Sequence, residues 1–318
     1  MNKPSTHSLT ARLDSAKRVR ALGHFALRPS LDPRTNERGI RVLGKGFSYF
    51  SKNGQILPIN EAVIPIENIE YSYGFGVYET IKVRNGVLYF AKEHVDRLLK
   101  SAEIIGLIHP YGKAQIKSYL EDLINKLKTE SCNIKMLLIG GREPQLFIIP
   151  LAPLFPDRKL YSHGAKTITV GYERLFPNAK TLNMLPSYMA YKKAKESDCY
   201  DAICIDSEGF ITEGTRTNFF AIKDSILFSP PEPKILAGVT RKTVLFVAKK
   251  YGFKVQEKDI LLAEIGQYDG AFLTSTSTKI IPIRQIDDFV FGEIPVKLKE
   301  LMSTYDTFLK ESNGIFKE

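Results

Sequence analysis

The sequence predicts an α+β fold divided into two domains. Strand-like and helix-like patterns alternate in both halves of the chain. A stretch rich in proline and charge, APLFPDRKLYSHG from Ala152 to Gly164, separates the halves. The length, 318 residues, is long for one domain and comfortable for two. The expected organisation is a basic, flexible N-terminal extension over 1–46, a smaller domain over 47–152, a linker over 153–160 and a larger domain over 161–318.

Regular elements are expected from about Phe47. Alternation from Val77 to Val83, then Asn85–Gly86 and another apolar run, predicts a β-hairpin. Val95, Leu98, Ala102 and Ile105 recur at helical spacing, and Ile116, Leu120, Leu123 and Leu127 repeat the pattern. IKMLLIGG and QLFIIPL read as two buried strands around a short turn. After the linker, AKTITVGYERL reads as a strand and SYMAYKKAKE as a helix. DAICIDSEGFITEG is two strands joined at Glu208–Gly209, and NFFAIKDSILFSP is another pair. GVTRKTVLFVAKKYG is a helix closed by Gly252, and GAFLTSTSTKIIPI reads as a strand ending in a run of hydroxyl residues. The chain shows no internal repeat.

The net charge is +10, but residues 1–45 hold ten basic against three acidic residues. The basic character therefore lives mainly in the extension, which argues against a nucleic-acid-binding body. The extension is short of apolar clusters, as a disordered segment is. Its Arg- and Ser-rich composition also suits an organellar transit peptide, the less favoured reading beside a cytoplasmic location. No run of about 18 apolar residues exists, so no membrane segment is expected. Cys132, Cys199 and Cys204 form neither a metal-ligand pattern nor a disulfide framework.

Taken singly, the polar features are ambiguous. GVTR ahead of a helix offers free N–H groups to an anion, although its commoner reading is an ordinary helix start. Thr274–Thr278 could bind phosphate or line a turn. Arg97 reads first as a solvated helix face, Glu213 as a strand-end surface acid, and Lys180 in FPNAKTLNML as one cation among many.

Their order makes a different case. A hairpin, a helix with Arg97, Lys180 in a strand-to-helix loop, Glu213 in ITEGTRTN, then LAGVTR and TSTST follow one another. This resembles the fold-type IV pyridoxal-phosphate enzymes, the class-IV aminotransferases. That family includes branched-chain aminotransferases, D-amino-acid transaminases and aminodeoxychorismate lyases. The resemblance covers about Phe47 to Gly292 and implies the two-domain architecture of D-amino-acid aminotransferases. It also implies a pyridoxal 5'-phosphate cofactor, an amino acid and a 2-oxo acid as substrates, and a homodimer.

On this resemblance Lys180 matches the lysine that forms the Schiff base, and Glu213 the carboxylate facing the pyridine nitrogen. Arg97 matches the phosphate-holding arginine. Val239 and Thr240 match the helix N-terminus on the same phosphate, and Thr276 a hydroxyl beside it. Leu236 matches the residue packing on the ring, and Tyr78 an aromatic on the substrate side. Lys135, Arg142 and Ser277 are further substrate-side candidates. The chemistry is coherent: a lysine amine condenses with an aldehyde, a carboxylate stabilises a pyridinium, and a phosphate dianion suits an arginine and a helix N-terminus.

Within the family the motifs diverge. Branched-chain enzymes usually read EGxGEN where this chain reads EGTRTN, and many place Tyr where Leu185 stands. The Arg-x-His carboxylate trap of the best-known D-amino-acid transaminases is absent from the short loop GGREPQ, which offers Arg142 alone. Thr80 and Lys135 match positions seen in the lyases. Phe75 replaces the acid of the usual GDG. The expectation is an aminotransferase acting on a hydrophobic, branched-chain-like amino acid. The alternatives are aminodeoxychorismate lyase, which eliminates pyruvate, and D-amino-acid transaminase.

Overall fold

The structure, a computed structural model, describes residues 46–153 and 155–316. The expected flexible extension lies outside these residues, apart from Gly46. The first half contains β1 (Tyr49–Lys52), β2 (Gln55–Pro58), α1 (Ile69–Ser72), β3 (Gly76–Arg84), β4 (Val87–Leu88), α2 (Ala91–Ile104), α3 (Lys113–Leu127), β5 (Ser131–Ile139) and β6 (Gln145–Leu151). The β3–β4 hairpin turns as the sequence predicts, with Asn85 and Gly86 both at positive φ, 50° and 72°. Six strands pair antiparallel in the order β2-β1-β6-β5-β3-β4. On one face Val77, Ile81, Ile134 and Met136 pack against Leu98 and Ala102 of α2 and Leu120 and Leu123 of α3. The two-residue period of the strand and the 3.6-residue period of the helices thus meet in one core. The other face carries Phe50, Tyr78, Leu137 and Phe147, and receives Leu182 and Met184 from the second half.

The second half contains α4 (Lys159–His163), β7 (Ala165–Gly171), α5 (Leu185–Glu196), β8 (Asp201–Ile205), β9 (Phe210–Gly214), β10 (Asn218–Lys223), β11 (Ile226–Ser229), α6 (Val239–Lys250), β12 (Lys254–Glu257), β13 (Ile260–Leu261), β14 (Gly270–Ser275), β15 (Lys279–Ile286), β16 (Phe289–Val290) and α7 (Val296–Glu311). Strands β10, β14, β15, β7, β8 and β9 pair in that order and return on themselves, because Asn218 of β10 sits opposite Glu213 of β9. The result is a small closed ring. Phe219, Leu273, Ile203 and Ile283 share one apolar cluster, while Phe220 and Phe272 belong to another, shared with Val244 and Val247 of α6 and Leu301 and Tyr305 of α7. Adjacent strand residues face opposite ways, which separates the two clusters.

Two features depart from the sequence reading. The run TSTST is the turn of a hairpin rather than the end of one strand, since β14 stops at Ser275 and β15 starts at Lys279. Lys279 takes the left-handed position, φ 60°, where a glycine would have announced the turn. Helix α7 was not anticipated, although Leu298, Leu301, Tyr305 and Leu309 form its buried stripe. Among the described residues no helix is long and apolar enough to cross a membrane.

Candidate active site

Lys180 lies in the loop between β7 and α5, and that loop is fastened to the start of β3. Tyr78 N–H donates to Lys180 O at 2.9 Å, Leu182 N–H to Gly76 O at 2.8 Å, and Lys180 N–H to Ser101 Oγ at 3.0 Å. Gly76 permits this approach: a Cβ there would stand 2.7 Å from both Leu138 O and Leu182 Cδ1. The lysine is thus carried by a loop, but a loop laced to a strand. Its Nζ sits 4.6 Å from the centre of the Tyr78 ring, and Lys135 Nζ sits 5.2 Å from the same ring. Burial would raise the Tyr78 phenol, but Lys180, Arg174 and Lys135 outweigh it and its pKa falls below the ordinary value.

Glu213, at the end of β9, is buried. Arg174 Nε stands 2.6 Å from its Oε1, and Leu236 N–H donates to its Oε2 at 3.3 Å. Burial pushes the Glu213 carboxyl up, and Arg174 and the Leu236 amide pull against that without cancelling it. Asn218, four residues after Gly214, donates from Nδ2 to Leu236 O at 2.8 Å. The segment Leu236–Gly238 that opens α6 is therefore tied to the β9–β10 hairpin. At the helix start Val239 and Thr240 present the free N–H groups that every helix N-terminus has.

Arg97 reaches the same place from α2. Its Nε and Nη2 donate to the two oxygens of Glu79 at 2.5 and 2.8 Å, and Nη1 donates to Ala237 O at 3.1 Å. His94 Nδ1 is 2.8 Å from Glu79 Oε2. Burial would raise the Glu79 carboxyl, but Arg97 and then His94 hold it far below the usual carboxylate range. A buried carboxylate thus fixes the guanidinium plane by a bidentate contact, roughly twice as strong as a neutral hydrogen bond pair. Arg97 keeps N–H groups over for another anion.

Residues far apart in sequence meet here. Arg97, Lys180, Glu213, Leu236, Val239, Thr240 and Thr276 all line one cavity, joined by Arg174, Arg216 and Ser275. Its chemistry fits a pyridoxal phosphate: a helix N-terminus, a fixed arginine and hydroxyls suit a phosphate, a buried carboxylate suits a pyridinium, and an amine suits an aldehyde. Thr274 Oγ1, also on the wall, is buried with no hydrogen-bond partner. Of the substrate-side candidates, Tyr78 lies beside Lys180 and Lys135 beside Tyr78, whereas Arg142 is exposed in the turn between β5 and β6. Ser277 is in the β14–β15 turn but off the cavity wall, where Ser275 stands instead. Phe75 packs on Gly140 and the α2–α3 core. Arg174 had no sequence signal. Arg216 stood out only as a departure from a motif.

The family model described as amino-transferase class IV matches residues 76–286. A D-alanine aminotransferase of Bacillus licheniformis is 31% identical over 252 residues, covering 76% of this chain and 89% of its own. A candidate branched-chain-amino-acid aminotransferase of Methanocaldococcus jannaschii is 31% identical over 272 residues, covering 78% and 93%. The branched-chain aminotransferase of Thermoproteus uzoniensis, solved with norvaline, superposes with a TM-score of 0.77 at 26% identity, over 83% of this chain and 95% of that one. The chain belongs to the class IV aminotransferases, enzymes that use pyridoxal phosphate to move amino groups between amino acids and 2-oxo acids.

Proposed function

We propose that the cavity holds pyridoxal 5'-phosphate on Lys180 and that the donor is an amino acid with an apolar side chain. The observation that carries this reading is the convergence of Lys180, Glu213, Arg97, Thr240 and Thr276 on one cavity. When bound, the cofactor supplies an electron sink for the charge left by removal of the substrate Cα proton. The chain's residues do the rest. Arg97, the N–H groups of Val239 and Thr240 and the Thr276 hydroxyl hold the phosphate. Glu213 would hold the ring nitrogen, with Arg174 fixing the carboxylate's orientation. Lys180 Nζ accepts and returns the Cα proton, and the loop bonds to β3 keep that amine in place. Leu236 would pack on the ring, and Tyr78 would close the substrate side.

Arg216 is exposed and lines the same cavity, its guanidinium stacked 3.7 Å above the Tyr191 ring. We assign it to the substrate carboxylate; Arg142 is exposed in the β5–β6 turn and is not part of this cavity's wall. The relatives named above are designated for D-alanine and branched-chain amino acids, whose side chains are apolar. Arg216→Ala is expected to raise KM for the amino donor by about tenfold to a hundredfold, the worth of a charge-assisted contact. An unchanged KM would reject that assignment. The functional test is transfer from L-leucine, L-valine and both alanine enantiomers to 2-oxoglutarate. Thr80 and Lys135 are cross-strand neighbours beside Tyr78, which keeps the lyase as the second reading. Pyruvate release from aminodeoxychorismate without amino transfer would establish it.

We infer that the boundary between the domains falls at 153–160, each domain having its own sheet. We also infer a homodimer. Ile66, Tyr73, Leu175 and Leu185 are large apolar residues left exposed on two segments that meet where Gly74 abuts Asn183. Light scattering is expected to give twice the chain mass of 35.9 kDa, and a monomer at assay concentration would refute the dimer.

A further inference from the structure

Between the end of β9 at Gly214 and the start of β10 at Asn218, three residues turn the chain: Thr215, Arg216 and Thr217. Beneath this turn lies Asp201, the first residue of β8, with no exposed surface. Its oxygens are shared between the two threonines that flank Arg216. Thr215 Oγ1 donates to Oδ1, Thr217 Oγ1 donates to Oδ2 at 3.0 Å, and the Ala202 N–H donates to Oδ1 at 2.9 Å. Backbone bonds complete the arrangement: Thr215 N–H to Ala202 O at 3.0 Å and Gly214 N–H to Thr217 O at 2.8 Å. Gly214 is what admits it, since a Cβ there would collide with Thr217 Oγ1 and stand 2.9 Å from Asp201 Oδ2. A carboxylate taken out of water is costly, and here three donors offset the cost. Nothing in the cofactor chemistry uses this acid.

The clamp fixes the backbone on both sides of Arg216. A side chain so anchored leaves the turn in one direction, and Tyr191 of α5 supports its far end. We propose that Asp201 is a positioning residue for substrate recognition: by holding Thr215 and Thr217 it presents Arg216 to the carboxylate of the incoming amino acid. The proposal rests on the assignment of Arg216 to that carboxylate. It gives the departure EGTRTN a physical logic, because each threonine binds the acid below and the arginine between them faces the cavity.

The test is a kinetic cycle on the cofactor-loaded enzyme. Asp201→Asn keeps the size but puts a donor where a hydroxyl donates. It should raise KM for the amino donor about tenfold while kcat and the visible absorbance of bound cofactor stay within about twofold. In an Arg216→Ala background the same change should shift KM no further. Thr215→Val, which removes one arm of the clamp and touches no cavity wall, should repeat the KM effect and serves if Asp201→Asn fails to fold. An equal KM rise with and without Arg216, or a loss of kcat and cofactor retention at unchanged KM, would show Asp201 to be a general support of the fold and overturn the proposal. If Arg216→Ala raises KM while neither clamp variant does, the proposal alone falls. If Arg216→Ala leaves KM unchanged, the carboxylate assignment falls and the proposal with it.

Discussion

Lys180→Ala is expected to abolish transamination. On the proposed function the Lys180 amine both holds the cofactor covalently and moves the Cα proton, and loss of a general acid–base alone lowers rate by about 10²–10⁴-fold. Covalent attachment goes with it, so the visible band of lysine-bound cofactor should vanish and dialysis should strip what the phosphate cradle retains. The fold should survive. The Lys180 side chain rests on the Tyr78 ring, while the bonds that fasten its loop are made by backbone atoms that alanine keeps. The measurement is turnover with the preferred donor beside a thermal melt of the same sample. Activity within about tenfold of wild type in a well-folded variant would remove Lys180 from the chemistry.

Glu213→Gln should injure both function and stability. The neutral amide cannot stabilise a positive charge at the ring nitrogen, and loss of one such electrostatic contact lowers kcat by about 10²–10³-fold. It also leaves Arg174 facing no counter-charge, with its side chain only 16% exposed. Breaking a buried ion pair from one side costs about 3–5 kcal/mol. The two effects separate in the double variant with Arg174→Gln, which removes the orphaned cation. Stability should largely return there and kcat should not. Recovery of kcat in the double variant would mean that the charge of Glu213 matters to the fold rather than to the cofactor. Denaturant melts and steady-state kinetics on the same three proteins decide it.

Much of this was legible in the residues. The β3–β4 hairpin followed from alternation and Asn85–Gly86, and α2, α3 and α6 from their apolar stripes, because burial of one face imposes those periods. Helix α7 has an equally plain stripe, but it lies beyond Gly292, where the motifs end. The hairpin inside TSTST was hidden because hydroxyl residues carry both strand and turn, and Lys279 turns the chain without a glycine. That hidden turn also explains why Ser275, and not Ser277, reaches the cavity wall. Arg174 and Asp201 were illegible for another reason. Each is an ordinary charged residue in sequence and gains meaning from a partner 39 and 14 to 16 positions away. Pairing at that distance is a property of strand order, which no local pattern records.

The closed ring of strands in the second half has one narrow seam. It shuts where Asn218 meets Glu213, a single residue pair, while the neighbouring ladders run over several. A ring has no free edges, and an open sheet offers unpaired amides and carbonyls to any passing chain. The seam covers such groups within the ring, although β12, β13 and β16 hang off it with edges of their own, and its two residues, Glu213 and Asn218, both line the candidate cavity. A substitution in this hairpin must therefore keep the ring shut whatever else it changes at the cavity wall.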